Sequence, residues 1–131
     1  VNNDYNKFDN FKFCTIEELF SESDIISIHT NLTSETDGLI DYRLLSKMKD
    51  SAFIINTSRG EIINESDLIK ALEKKVIAGA ALDVFSKEPY QGRLIDFDNL
   101  IATPHIAAYA KEIRSTMELE AVSNLINGLM K

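Results

Sequence analysis

Three short polar segments, each at the end of an apolar run, hold the residues of this chain best suited to chemistry. Phe53-Ile54-Ile55 runs into Asn56-Thr57-Ser58-Arg59-Gly60, Ala80-Ala81-Leu82-Asp83-Val84-Phe85 runs out to Glu88-Pro89, and Leu100-Ile101-Ala102-Thr103 stops at Pro104-His105. A guanidinium next to a glycine turn can grip an anion, and an imidazole near a carboxylate can give or take a proton. Open α/β sheets bind ligands outside the carboxyl ends of their strands, so Arg59, Glu88 and His105 can converge there on one substrate.

Each of these residues also has a plainer reading. Arg59 could be a surface ion-pair partner, although a position between a buried strand and a glycine favours catalysis or anion binding. Glu88 means little alone; preceding Pro89, its backbone is biased toward extended conformations. His105 could be a buried, satisfied histidine, and His29 lines the end of its own strand or touches a cofactor through backbone. Asp83 interrupts an apolar strand and needs a hydrogen-bond donor, from the protein or from a ligand amide. Two separated histidines and one distant cysteine, Cys14, make a metal site unexpected. The five glycines never approach G-x-G-x-x-G spacing, and no serine sits in a nucleophile elbow.

The elements that must position these residues follow a βαβ rhythm. A strand is expected at 11–14, followed by a helix opened by a Thr15–Glu18 capping box. Further strands are expected at 24–30, 51–57, 76–85 and 99–103, a parallel arrangement whose near-continuous apolar runs imply burial on both faces. Asp41 and Asn64 should cap the intervening helices, which carry Leu44, Leu45 and Met48, then Leu68, Ile69, Ala71 and Leu72. A long helix is expected over about 109–130, with Ile113, Met117, Ala121 and Leu125 at i+4 spacing and Val122, Ile126 and Leu129 beside them, a wide face for burial.

The chain has 131 residues, 44% of them hydrophobic, enough for one domain with a real core. A formal net charge of -7 argues against nucleic acid or an anionic membrane as partner. A single cysteine excludes an intrachain disulfide framework and fits a reducing, cytoplasmic setting.

Taken in order, 24–33, Ile55-Asn56-Thr57-Ser58-Arg59-Gly60-Glu61-Ile62-Ile63, Ala81-Leu82-Asp83-Val84-Phe85-Ser86-Lys87-Glu88-Pro89 and Ala102-Thr103-Pro104-His105-Ile106 resemble the D-isomer-specific 2-hydroxyacid dehydrogenases over nearly the whole chain. The resemblance implies a Rossmann-like doubly wound parallel sheet, with residues 1–131 forming the C-terminal part of its NAD-binding domain and the final helix extending toward a substrate domain. It implies His105 as general acid/base at the substrate C2 oxygen, Glu88 as the group polarising it, and Arg59 as the grip on substrate carboxylate and carbonyl. It also places Thr30, Thr57, Ser58, Arg59, Asp83, His105, Ala107 and Ala108 beside NAD, with Asp83 near the nicotinamide carboxamide. The implied partner is a small 2-oxo or 2-hydroxy acid, and the implied assembly is a homodimer.

Two departures from the family pattern stand out. Asn31 occupies a position where a proline is usual, a change expected on the adenine-side wall. The first βαβ unit, with its glycine loop and acidic ribose ligand, and the N-terminal substrate-domain segment are expected to be missing, so the sheet is expected to be incomplete. In the strand order 3-2-1-4-5-6, that leaves the 11–14 strand without a neighbour and the 24–30 strand with a bare edge. By itself such a chain is expected to be inactive. Two other readings share the resemblance: an NAD-dependent binding protein like the corepressors related to this family, and a non-catalytic remnant of a truncated gene. Formate dehydrogenases are disfavoured, since they resemble a Gln where Glu88 stands.

Overall fold

A computed structural model describes residues 12–130 of the chain. Its elements run α1 (Ile16–Glu22), β1 (Ile25–Ile28), α2 (Tyr42–Leu45), β2 (Phe53–Asn56), a 3-10 turn at Gly60–Ile62, α3 (Glu65–Glu73), β3 (Gly79–Leu82), a second 3-10 turn at Arg93–Asp96, β4 (Leu100–Ala102) and α4 (Lys111–Leu129). The four strands form one parallel sheet in the order β1-β2-β3-β4, as one half of a doubly wound sheet requires.

Local sequence explains where the helices start. Thr15 accepts from the Glu18 N–H while the Glu18 carboxylate accepts from the Thr15 N–H, a complete capping box that opens α1. Asp41 caps α2 by accepting from Leu44 N–H, and Asn64 caps α3 by accepting from Asp67 N–H. Of the strand expected at 11–14, Phe11 lies outside the described residues, and Lys12, Phe13 and Cys14 have no strand structure. With no neighbouring strand among the described residues, extended chain there has no ladder to join.

Register places the strand residues in cross-sheet rows. Ile26, Ile54, Ala80 and Leu100 form one row and Ile28, Asn56, Leu82 and Ala102 the next. Apart from exposed Ala102 at the β4 edge, these rows face the core, where Phe20 of α1, Leu44 and Leu45 of α2, and Leu68, Ala71 and Leu72 of α3 pack with Ile62 and Leu94. The opposite face is open. Burial alternates along β1 and β2, leaving Ile25 63% and Phe53 47% exposed, with Ile101 of β4 at 69%. The expectation of burial on both faces is therefore corrected: α1, α2 and α3 all contribute to one core, and no described helix covers the other side.

The long final helix forms as the i+4 pattern requires, but it buries none of its residues. Ile113, Met117, Val122, Leu125, Ile126 and Leu129 remain exposed, so nothing among the described residues covers the wide apolar face expected of this helix. No described helix is long and apolar enough to cross a membrane.

Candidate active site at the strand ends

The Arg59 turn is built by a buried amide. Asn56, the last residue of β2, is 1% exposed, and its side chain is hydrogen-bonded through both its oxygen and its nitrogen. Its Oδ1 accepts from Ser58 N–H at 3.0 Å and its Nδ2 donates to the Arg59 carbonyl at 2.8 Å, so one side chain folds the chain back on itself. Ser58 Oγ donates to the Ile28 carbonyl at 2.7 Å, tying the turn to the end of β1. A parallel bridge between Ile40 and Ile63, with the Gly38 N–H donating to the Glu61 carbonyl at 2.8 Å, holds the exit of the turn.

Arg59 itself is exposed and makes no ion pair among the described residues; its Nη1 donates to the Ser58 carbonyl at 2.6 Å. The surface ion-pair reading thus lacks a partner. The guanidinium lines an open cavity of about 370 Å³ with His29, Thr30, Asn31, Leu32 and Ser58. His29 Nε2 and Ser27 Oγ lie 2.8 Å apart, which occupies one ring nitrogen locally. Thr57 is exposed beside this cavity's turn.

The second cluster lies at the ends of β3 and β4. Asp83 is 5% exposed, and its carboxylate accepts from the Thr103 hydroxyl at 2.6 Å, from Ile106 N–H at 2.8 Å and from Ala107 N–H at 2.9 Å. The donors Asp83 requires are thus present in the protein. Burial acts to raise its pKa, but the Thr103 hydroxyl and the two backbone N–H groups outweigh it and hold the carboxyl below its ordinary value. The three bonds wrap 103–107 around the carboxylate, with His105 at the apex in a left-handed conformation, φ 57°. A non-glycine residue there costs about 1–2 kcal/mol, which the Asp83 bonds offset.

His105 Nδ1 lies 2.9 Å from Glu88 Oε2, and Glu88 Oε1 accepts from Phe85 N–H at 3.1 Å. The His105 bond first, and the Phe85 N–H second, hold the Glu88 carboxyl below the usual carboxylate range. An ionised Glu88 fixes the proton on Nδ1 in the neutral ring, and Nε2 has no partner among the described residues. Glu88, His105 and Thr103 border an apolar cavity of about 440 Å³ with Phe85, Tyr90 and Ile95. On the other side of His105, Ala108 lies in a second open cavity with Tyr109 and Arg114.

Glu88, His105 and Asp83 are thus brought together, whereas Arg59 opens onto a separate cavity. What joins the two clusters is Gly60. A Cβ placed there would lie 2.0 Å from the Phe85 carbonyl carbon and 2.3 Å from the Ser86 nitrogen, so the Arg59 turn and the Glu88 loop touch backbone to backbone. Sequence reasoning missed two contributors: Asn56, read only as part of the turn, and the left-handed backbone at His105. A polar residue ending an apolar strand just before a turn was the available signal for Asn56; for His105 there was none.

A parallel sheet whose strand ends present a cation, a carboxylate and an imidazole defines a ligand-binding α/β domain of dinucleotide-binding type. The chain belongs to the D-isomer specific 2-hydroxyacid dehydrogenases: the model of that family's NAD binding domain matches residues 1–107. The chain is 46% identical over 119 residues to a glyoxylate reductase of Thermofilum pendens, and 44% identical over 122 residues to glyoxylate/hydroxypyruvate reductase B of Pectobacterium carotovorum. These alignments cover 89% and 92% of this chain but only 35% and 38% of the relatives, so the chain spans little more than a third of their length. Among solved structures, a glyoxylate reductase from Paecilomyes thermophila matches with a TM-score of 0.84 at 35% identity, covering 92% of this chain and 37% of that one. An acyclic imino acid reductase in complex with NADPH and D-Arg matches with a TM-score of 0.83 at 35% identity, over 89% and 38% of the two chains.

Polar groups at the strand ends fit a dinucleotide cofactor such as NAD. The cavity at the ends of β1 and β2 offers the Thr30 hydroxyl and the Asn31 amide to a polar ligand, next to the Arg59 guanidinium, which makes no ion pair among the described residues. No glycine loop for the pyrophosphate occurs in the sequence.

Proposed function

We propose that this chain carries the acid/base and carboxylate-binding residues of an NAD-dependent oxidoreductase that interconverts a small 2-oxo acid and the D-2-hydroxy acid. The observation supporting it most directly is the 2.9 Å contact between His105 Nδ1 and Glu88 Oε2, which leaves Nε2 to face substrate. Bound NADH supplies the hydride. As the carbonyl carbon is reduced, negative charge builds on its oxygen; a protonated His105 Nε2 stabilises that charge and delivers the proton. Glu88 keeps the imidazolium favourable and the ring oriented. Arg59 presents a planar fork to the substrate carboxylate. Thr30, Thr57, Ser58 and the 105–108 segment line the cofactor side, with Asp83 shaping that segment. The same reading sets the exposed apolar stripe of α4 against a substrate-binding part of the enzyme.

Glyoxylate and hydroxypyruvate, the substrates in the relatives' names, are the first compounds to assay. In the enzyme containing this chain, His105→Ala should lower NADH-dependent reduction by about 10² to 10⁴, as expected for a lost general acid. An unimpaired variant would refute the assignment.

A further inference from the structure

Glu65 is the first residue of α3, and its carboxylate reaches across to the loop that carries Glu88. Its Oε1 accepts from the Tyr90 hydroxyl at 2.6 Å and its Oε2 from the Ser86 hydroxyl at 3.2 Å. Ser86 and Tyr90 flank Glu88 two residues to either side, so a single carboxylate holds both shoulders of the loop. The Tyr90 ring also stacks on Phe85, with centroids 4.2 Å apart, and its hydroxyl accepts from Leu94 N–H at 3.3 Å. Phe85 is the residue whose N–H binds Glu88 Oε1. The backbone on either side of Glu88 is therefore gripped from α3, and Tyr90 braces the Phe85 whose N–H binds Glu88 Oε1, while the other Glu88 bond, to His105, rests on the Asp83 loop.

We propose that Glu65 is a positioning residue for the Glu88–His105 pair, acting through Tyr90 and Ser86. The proposal rests on the reading of Glu88 and His105 as the acid/base pair. Burial, together with the bond to Glu65, pushes the Tyr90 phenol up to about 12, so it stays a donor at any working pH.

Tyr90→Phe is the first variant, because it keeps the ring stack and removes only the hydroxyl. Glu65→Gln and Ser86→Ala follow; Glu65 also sits in the first turn of α3, where a carboxylate suits the helix end. The readouts are Glu88 titration by carboxyl-carbon NMR and the pH profile of kcat in the enzyme containing this chain. Glu88→Gln serves as control. The expected result for Tyr90→Phe is an upward shift of the Glu88 titration by about half a unit, with the acidic limb of kcat moving the same way. A kcat lower by roughly 3- to 10-fold at unchanged KM should accompany it. A lower melting temperature with unmoved Glu88 titration and unmoved pH profile would overturn the proposal alone. If Glu88→Gln itself left kcat and its pH profile unchanged, the acid/base reading would fall and this proposal with it.

Discussion

Asp83→Asn tests whether the His105 loop is held by charge. The substitution preserves shape but replaces one carboxylate oxygen with an N–H₂ group. Three donors converge on Asp83: the Thr103 hydroxyl and the N–H groups of Ile106 and Ala107. The asparagine oxygen can serve those on one side, while the new N–H₂ meets an N–H or hydroxyl on the other. Hydrogen bonds to charged groups contribute about 1.5–3 kcal/mol each, and leaving a buried donor unmet costs about 1–3 kcal/mol. The loss should therefore be about 2–4 kcal/mol, part of it returned if the 103–107 loop lets go and His105 relaxes from its left-handed backbone. Urea denaturation followed by circular dichroism measures the change. The pH dependence gives an independent check. Because the folded carboxyl titrates below its ordinary value, its contribution is complete above about pH 4 and is lost as pH falls through the lowered value. Asp83→Asn should lose this acid-sensitive component, flattening stability against pH below about pH 4. Equal stability at neutral pH together with a superimposable acid limb would refute the charge argument.

Other substitutions separate backbone from chemistry. His105→Gly should be more stable than His105→Ala by about 1 kcal/mol, since only glycine occupies φ 57° without cost, although both lose the imidazole; chemical denaturation of the pair decides it, and a more stable alanine variant would contradict the left-handed backbone. Arg59→Lys keeps the charge but not the bidentate fork, so it should raise the KM for a 2-oxo acid substantially while NAD affinity changes little; a collapse of cofactor binding at constant substrate KM would move Arg59 to the cofactor side. The 131-residue chain alone should bind NAD too weakly for a calorimetric isotherm at micromolar concentration, because its five glycines form no phosphate-gripping loop. A well-behaved monomer with micromolar affinity would contradict this.

The helix starts and the three strand-end motifs were legible because each is governed by neighbouring residues: a capping side chain, an apolar run, a glycine or proline that breaks it. Thr15, Asp41 and Asn64 cap where their sequence settings require. Strand lengths were less legible. The strand expected over 76–85 pairs only over Gly79–Leu82, since ladder length depends on its partners' register rather than on its own hydrophobicity. Burial on the second face and around α4 depends on groups remote in sequence, so apolarity of Ile25, Phe53 or Ile101 could not tell whether anything covers them. At the site, the Glu88–His105 contact was legible as a pairing of chemical types, but the grip of Glu65 on that loop was not, because no local pattern links residue 65 to residues 86 and 90.

The meeting of Gly60 with Phe85 and Ser86 has a mechanical consequence. Contact between two main chains, with no side chain between them, sets the spacing of the Arg59 turn and the Glu88 loop by atomic radii instead of by rotamers. The two loops therefore behave as one rigid jaw. Side chains along its rim can change while the interval between the two main chains stays fixed.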